Sequence, residues 1–315
     1  MDGVIRGLDR TSDRNVLVPP GDDAGVIRLD SKRGLVETVD IITPLVNDPY
    51  MFGKIATVNS LSDIYAMGGT PLSALSIVGY PACDYDIEVV RLMIKGALDM
   101  LSEARVALLG GHCFEDTEIK FGLSVTGFIE NDKILRYNTP QAGDLLVITK
   151  PIGTGILTTA LKGQRLKDED LNEAVKSMTT LNKEASRVAV EGGASACTDI
   201  TGFGLLGHAV KMVSESRVDY VIEASGIPVF KGVKELAEKG IVPEGAYKNL
   251  EFYKDRVKFG AMVEEVMQLV LFDPQTSGGL LVSINREGLR HFDENGVSYW
   301  IIGRVVEGNG FVRVG

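Results

Sequence analysis

The spacing of hydrophobic and polar positions changes repeatedly along the chain. Over residues 35–42, Val36, Val39 and Ile41 are interleaved with Glu37, Thr38 and Asp40, which predicts a strand ending in polar groups. Residues 49–67 then carry a helical period. Asp48 is placed to cap that helix, Pro49 suits its first position, and Gly68-Gly69 supplies the stop. Further strands are predicted over 72–78, 106–109 and 121–129, with a helix over 87–103. A turn-rich run, Asn138-Thr139-Pro140-Gln141-Ala142-Gly143-Asp144, precedes a fresh strand at 145–149. Helices follow over 173–192 and 205–214. The mixture predicts an α+β chain of two domains, 1–137 and 138–315.

Composition narrows the function. The 315 residues suffice for two cores, and 33 Lys+Arg against 43 Asp+Glu give a net charge of −10. That balance argues against a nucleic-acid backbone or an anionic membrane as partner, because both demand concentrated cationic side chains. Three cysteines, Cys83, Cys113 and Cys197, stand far apart without a C-x-x-C pair. A disulfide scaffold or structural zinc site is therefore not expected, and a reducing compartment is. With no apolar run of signal-peptide or membrane-span length, the expected location is the cytoplasm.

The chemistry lies in acids placed at element ends beside glycines. In Gly21-Asp22-Asp23-Ala24-Gly25 two adjacent carboxylates repel each other unless solvent, a cation or donors neutralise them; alone, the run also reads as an Asx-type turn. Asp40 ends a strand, where an acid is often only a cap. On the helix over 49–67, Asn59, Ser62 and Asp63 share a face with Phe52, Ile55 and Ala56. Either that face is buried and needs a cation or a hydrogen-bond network, or it is wet and Met51, Val58, Leu61 and Tyr65 form the core stripe. Gly110-Gly111-His112-Cys113 reads as a ligand-contacting loop after a strand, and His208 as a structural histidine. The run over 198–208 sets an acid and glycines before a helix, a natural anion site, and Asp273-Pro274-Gln275-Thr276-Ser277-Gly278-Gly279-Leu280 repeats that composition. Neither is a Walker A loop or a dinucleotide fingerprint. Dispersed carboxylates gathering Mg²⁺, with glycine turns receiving phosphates, point to an ATP-using enzyme without a P-loop.

These segments, together with Asn59-Ser60-Leu61-Ser62-Asp63-Ile64-Tyr65-Ala66-Met67-Gly68-Gly69 and Thr149-Lys150-Pro151-Ile152-Gly153-Thr154-Gly155, closely resemble the selenophosphate synthetase family of the aminoimidazole ribonucleotide synthetase-like superfamily. The resemblance covers nearly the whole chain. It implies ATP-dependent conversion of selenide to selenophosphate with release of AMP and orthophosphate, a Mg²⁺ requirement and K⁺ stimulation. It implies an N-terminal sheet domain that joins a second copy in a dimeric barrel, followed by a C-terminal α/β sandwich domain. Asp23, Asp63 and Asp199 match the family's Mg²⁺ carboxylates. Asp40 and Asp63 match nucleotide contacts, as does the stretch Pro20, Gly21 and Asp22, while Gly111, His112 and Cys113 match a loop reaching ATP across the homodimer.

Two departures stand out. Cys113 replaces the family's usual serine. Ahead of its Gly-Asp-Asp turn the family carries a Cys or selenocysteine with a Lys three residues later, whereas residues 1–20 here contain neither Cys nor Lys. No catalytic nucleophile is assigned, and these 315 residues alone are expected to bind Mg²⁺-ATP but make little selenophosphate. The expectation that follows is a coding region extending upstream through a UGA or Cys codon. A related small-molecule kinase and a catalytically silent nucleotide-binding paralogue are the alternatives.

Overall fold

The computed structural model describes residues 13–315; part of the expectation about the first twenty residues lies outside them. In chain order the first half contains β1 (Val16–Val18), β2 (Gly25–Arg28), β3 (Arg33–Ile42), α1 (Pro49–Ala66), β4 (Thr70–Tyr80), α2 (Ile87–Ala104), β5 (Ala107–Glu115) and β6 (Lys120–Glu130). The six strands form one sheet in the order β1-β2-β3-β6-β4-β5, antiparallel except for the parallel β4–β5 pair at one edge. The expected caps of α1 are present. The Asp48 side chain accepts from the Tyr50 and Met51 amides, and Gly68, at φ +80°, turns the chain out of the helix.

Helix α1 is buried almost all round: Phe52, Ile55, Asn59 and Ser62 on one side and Val58, Leu61 and Tyr65 on another are all covered. The wet-face reading therefore fails. One side packs on α2 and the first sheet, and the other meets the second half of the chain. Strand β3 is present as expected, and its faces follow the same logic. Thr38 and Asp40 turn toward α1, where their hydrogen-bond partners lie, while Val39 (56% exposed) and Ile41 (44%) face outward. Polar groups sit inside because α1 brings partners to them, and the apolar ones are left on an open sheet face.

The second half runs β7 (Leu145–Ile148), α3 (Thr154–Lys162), α4 (Asn172–Met178), α5 (Lys183–Glu191), β8 (Ala196–Asp199), α6 (Gly204–Val213), β9 (Val218–Ile222), α7 (Val233–Glu238), α8 (Glu244–Tyr253), β10 (Val257–Phe259), α9 (Glu265–Leu271), β11 (Leu280–Ile284), α10 (Leu289–Glu294), β12 (Trp300–Glu307) and β13 (Val312–Val314). Its seven strands order as β10-β13-β9-β12-β7-β11-β8, which leaves β8 at the edge that meets α1. The single helix expected over 173–192 is two, α4 and α5. Thr179 and Thr180 turn their hydroxyls back onto the Val175 and Lys176 carbonyls, and Asn182 leaves the helical surface to bond across the molecule.

Candidate active site

Four carboxylates converge where α1 meets the ends of β3 and β8 and the turn before β2. Three of them are each held by one short polar side chain from another element. Thr38 Oγ1 donates to Asp63 Oδ2 at 2.5 Å, Asn59 Nδ2 to Asp40 Oδ2 at 2.7 Å, and Thr198 Oγ1 to Asp23 Oδ1 at 2.9 Å. Asp23 Oδ2 and Asp199 Oδ2 are buried with no partner.

Burial and mutual repulsion set the electrostatics. Burial, then Asp199 and Asp22, push the Asp23 carboxyl well above the usual carboxylate range; Asp63 is pushed up by burial and by Asp199, Asp40 and Asp23. Asp40 rises to about 6 through burial and Asp199, and Asp22 rises through burial against the Asp23 amide. Asp199 is raised by burial despite the Ser62 hydrogen bond and the positive charge of Lys211 and Lys150. Closely placed carboxylates that resist ionisation gain most from a bound cation, which removes the repulsion that raises them. Their donors are all oxygen, the set a hard ion such as Mg²⁺ prefers, and the two unpartnered oxygens fit it. Among the described residues no group of three or more His, Cys, Asp or Glu side chains stands ready to hold a metal ion by itself.

The glycine turns divide in their roles. In the turn before α6, the Thr201 amide donates to His208 Nε2 at 3.1 Å, so the histidine fastens the turn from beneath, and burial pushes its pKa down to about 3. Gly202 stays open to solvent there. The 273–280 run behaves differently from its expected role as a second anion site. Asp273 Oδ2 accepts from the Gly155 and Ile156 amides, and Gln275 Oε1 from Gly153 and Thr154. The protein's own side chains thus fill the N-terminus of α3.

Pro20, Gly21 and Asp22 form the turn that delivers Asp23, with Gly21 at φ +129°, a conformation glycine permits. Gly111, His112 and Cys113 are not brought to the carboxylates of their own chain. Far from forming a loop, they belong to β5, separated from β3 by β4 and β6, because pairing with Ser76, Ile77 and Val78 extends the strand through both glycines. Sequence reasoning missed Thr38 and Asn182. The only signal for Asn182 was the Thr179-Thr180 pair interrupting a helical period.

The descriptions "AIR synthase related protein, N-terminal domain" and "AIR synthase related protein, C-terminal domain" match residues 21–129 and 141–315. The fold is that of this class. Thiamine monophosphate kinase from Aquifex aeolicus shares the fold, with a TM-score of 0.70 at 19% identity over 99% of this chain and 94% of that one. A selenide, water dikinase from Pelobacter propionicus is 49% identical over 90% of this chain and 82% of its own length. One from Caldanaerobacter subterraneus is 46% identical over the same shares. The chain belongs to the selenide, water dikinase family.

Proposed function

We propose that the chain carries out ATP-dependent synthesis of selenophosphate from selenide, releasing AMP and orthophosphate. The observation that carries this reading is the cluster of four buried, mutually raised carboxylates, with two unpartnered oxygens, in a chain 49% identical to a selenide, water dikinase. Asp23, Asp63 and Asp199 hold Mg²⁺, whose charge when bound would offset that of the triphosphate. Asp40, Asp63 and the Pro20-Gly21-Asp22 turn orient the nucleotide, and the donors behind each acid keep its lone pairs aimed into the site. K⁺ stimulation and a cytoplasmic location belong to the same reading; no helix among the described residues is long and apolar enough to cross a membrane.

The reading includes a homodimer. Val39, Ile41, Leu72 and Leu75 leave an apolar patch on the outer side of the first sheet, next to the open edge of β5. A second copy pairing there closes both sheets into one barrel and carries Gly111-His112-Cys113 toward the other copy's nucleotide. The 131–144 connection between the sheets contains the proposed boundary of the 1–137 and 138–315 domains.

Incubating the chain with ATP, Mg²⁺ and selenide and following AMP by chromatography tests the activity. The expected result is AMP formation that requires selenide. ATP bound tightly with no selenide-dependent AMP would support the silent paralogue, and consumption of another acceptor would support a related kinase.

A further inference from the structure

Lys150, just past the end of β7, is 6% exposed and forms no ion pair among the described residues. Its Nζ donates instead to two backbone carbonyls, that of Thr180 at 2.7 Å and that of Ser277 at 3.0 Å. Burial pushes its pKa down to about 7, against the opposing pull of the Asp199 charge. A buried ammonium is costly, and an apolar side chain of similar volume would pack there at lower cost. What the position gains from lysine is several donors on one atom, enough to grip two separate segments at once.

The Ser277 carbonyl belongs to a constrained turn. Ser277 stands at φ +48°, a conformation uncommon for a side-chain-bearing residue, and its hydroxyl donates to the Met178 carbonyl at 2.7 Å. Next to it, Gly278 packs so tightly that a Cβ would lie 2.1 Å from the Ile200 carbonyl oxygen. Held in this way, the Ser277 amide donates to Asn59 Oδ1 on α1 at 2.9 Å. The other end of the same side chain, Asn59 Nδ2, donates to Asp40 Oδ2 at 2.7 Å. Reversing the Asn59 amide would set its hydrogens against the Ser277 N–H and its oxygen against the Asp40 carboxylate, so the donor at one end fixes the donor at the other. Asn59 is 4% exposed, which leaves solvent little part in either bond.

We propose that Lys150 is a positioning residue for Asp40: by clamping the Ser277 turn it holds the amide that orients Asn59, Asn59 then presents its own donor to Asp40, and the chain of bonds sets affinity for the nucleotide. Every link is a hydrogen bond of 2.7–3.0 Å, from Lys150 to Ser277, from Ser277 to Asn59 and from Asn59 to Asp40. The relay gives the runs over 149–155 and 273–280 a part in the site through Lys150 and Ser277. It rests on the reading of Asp40 as a nucleotide contact.

The test is calorimetric titration of the 315-residue chain with Mg²⁺ and a non-hydrolysable ATP analogue, alongside thermal unfolding. Lys150→Met and Asn59→Ala should each weaken binding about tenfold, and the double variant should lose no more than Asn59→Ala. That non-additivity separates a relay from a general loosening of the fold. Lys150→Met that unfolds earlier yet binds the analogue like the parent overturns the proposal, as do single losses that add in full. If Lys150→Met does not fold, Asn59→Ala, which leaves both Lys150 bonds in place, decides: unchanged affinity there overturns the relay. Asp40→Asn keeps the two possible failures apart. Parent-like affinity in Asp40→Asn overturns the nucleotide reading of Asp40 and the relay with it, whereas a loss there with none in Lys150→Met overturns the relay alone.

Discussion

The Thr198 hydroxyl donates to Asp23 Oδ1 at 2.9 Å across a sequence separation of 175 residues. It joins the edge strand of the second sheet to the first acidic turn of the chain, so the cluster is assembled only when the two halves dock. Removing the donor should cost about 1.5–3 kcal/mol of carboxylate positioning, the range for hydrogen bonds to charged groups. Thr198→Val is expected to weaken Mg²⁺-ATP binding at least tenfold while the fold survives, because valine fills the same volume. Calorimetric titration checks it, and unchanged affinity would mean Asp23 needs no help from β8.

Asp63 takes the largest share of neighbouring acids in the cluster, with Asp199, Asp40 and Asp23 all raising it. Asp63→Asn is nearly isosteric but uncharged. It should remove most Mg²⁺-dependent ATP affinity, more than tenfold, and leave circular dichroism and the unfolding profile native. Equal Mg²⁺-ATP binding by the folded variant would remove Asp63 from the metal set.

Asp273 offers a pH test away from the cluster. Three donors favour its carboxylate, yet burial wins and pushes it up to about 7 from the ordinary 3.8 of an aspartate. A raised carboxyl contributes stability that is present below about pH 3.8 and lost as pH rises through about 7, since the folded chain keeps a proton the unfolded chain has released. Asp273→Asn does not titrate. Its stability relative to the parent should therefore rise between pH 5 and pH 8, read from urea midpoints with chelator present. Parallel profiles for the two proteins would show that the carboxyl ionises normally.

The outer face of the first sheet predicts assembly. Sedimentation at micromolar concentration with Mg²⁺-ATP should give a dimeric mass, and Val39→Glu with Ile41→Glu should shift it to monomer, since both side chains are exposed and their loss opens no cavity. A monomeric mass for the parent would refute the pairing.

Much of the site was legible as types and local places. Asp48, Pro49 and Gly68 bounded α1 correctly because capping and left-handed turns are decided within a few residues. The acids were conspicuous because carboxylates beside glycines at element ends are costly without partners. What the sequence could not decide was which side of an element faces a partner far along the chain. In β3 alternation was present, but not which face would be covered: Thr38 and Asp40 find partners on α1 beside the buried Val36, while Val39 and Ile41 stay exposed. The run over 273–280 looked like the one over 198–208, and only packing against α3 shows that Asp273 and Gln275 occupy the site that composition left open. The sequence by itself determined the α+β character, the limits of α1 and the acid inventory, because these follow from short-range propensities. Tertiary structure alone decided the meeting of Asp23, Asp40, Asp63 and Asp199, the burial of α1 on both sides and the reach of Asn182 to Ser62. Hydrogen bonds and charge repulsion depend on distance in space, and these residues are distant in sequence.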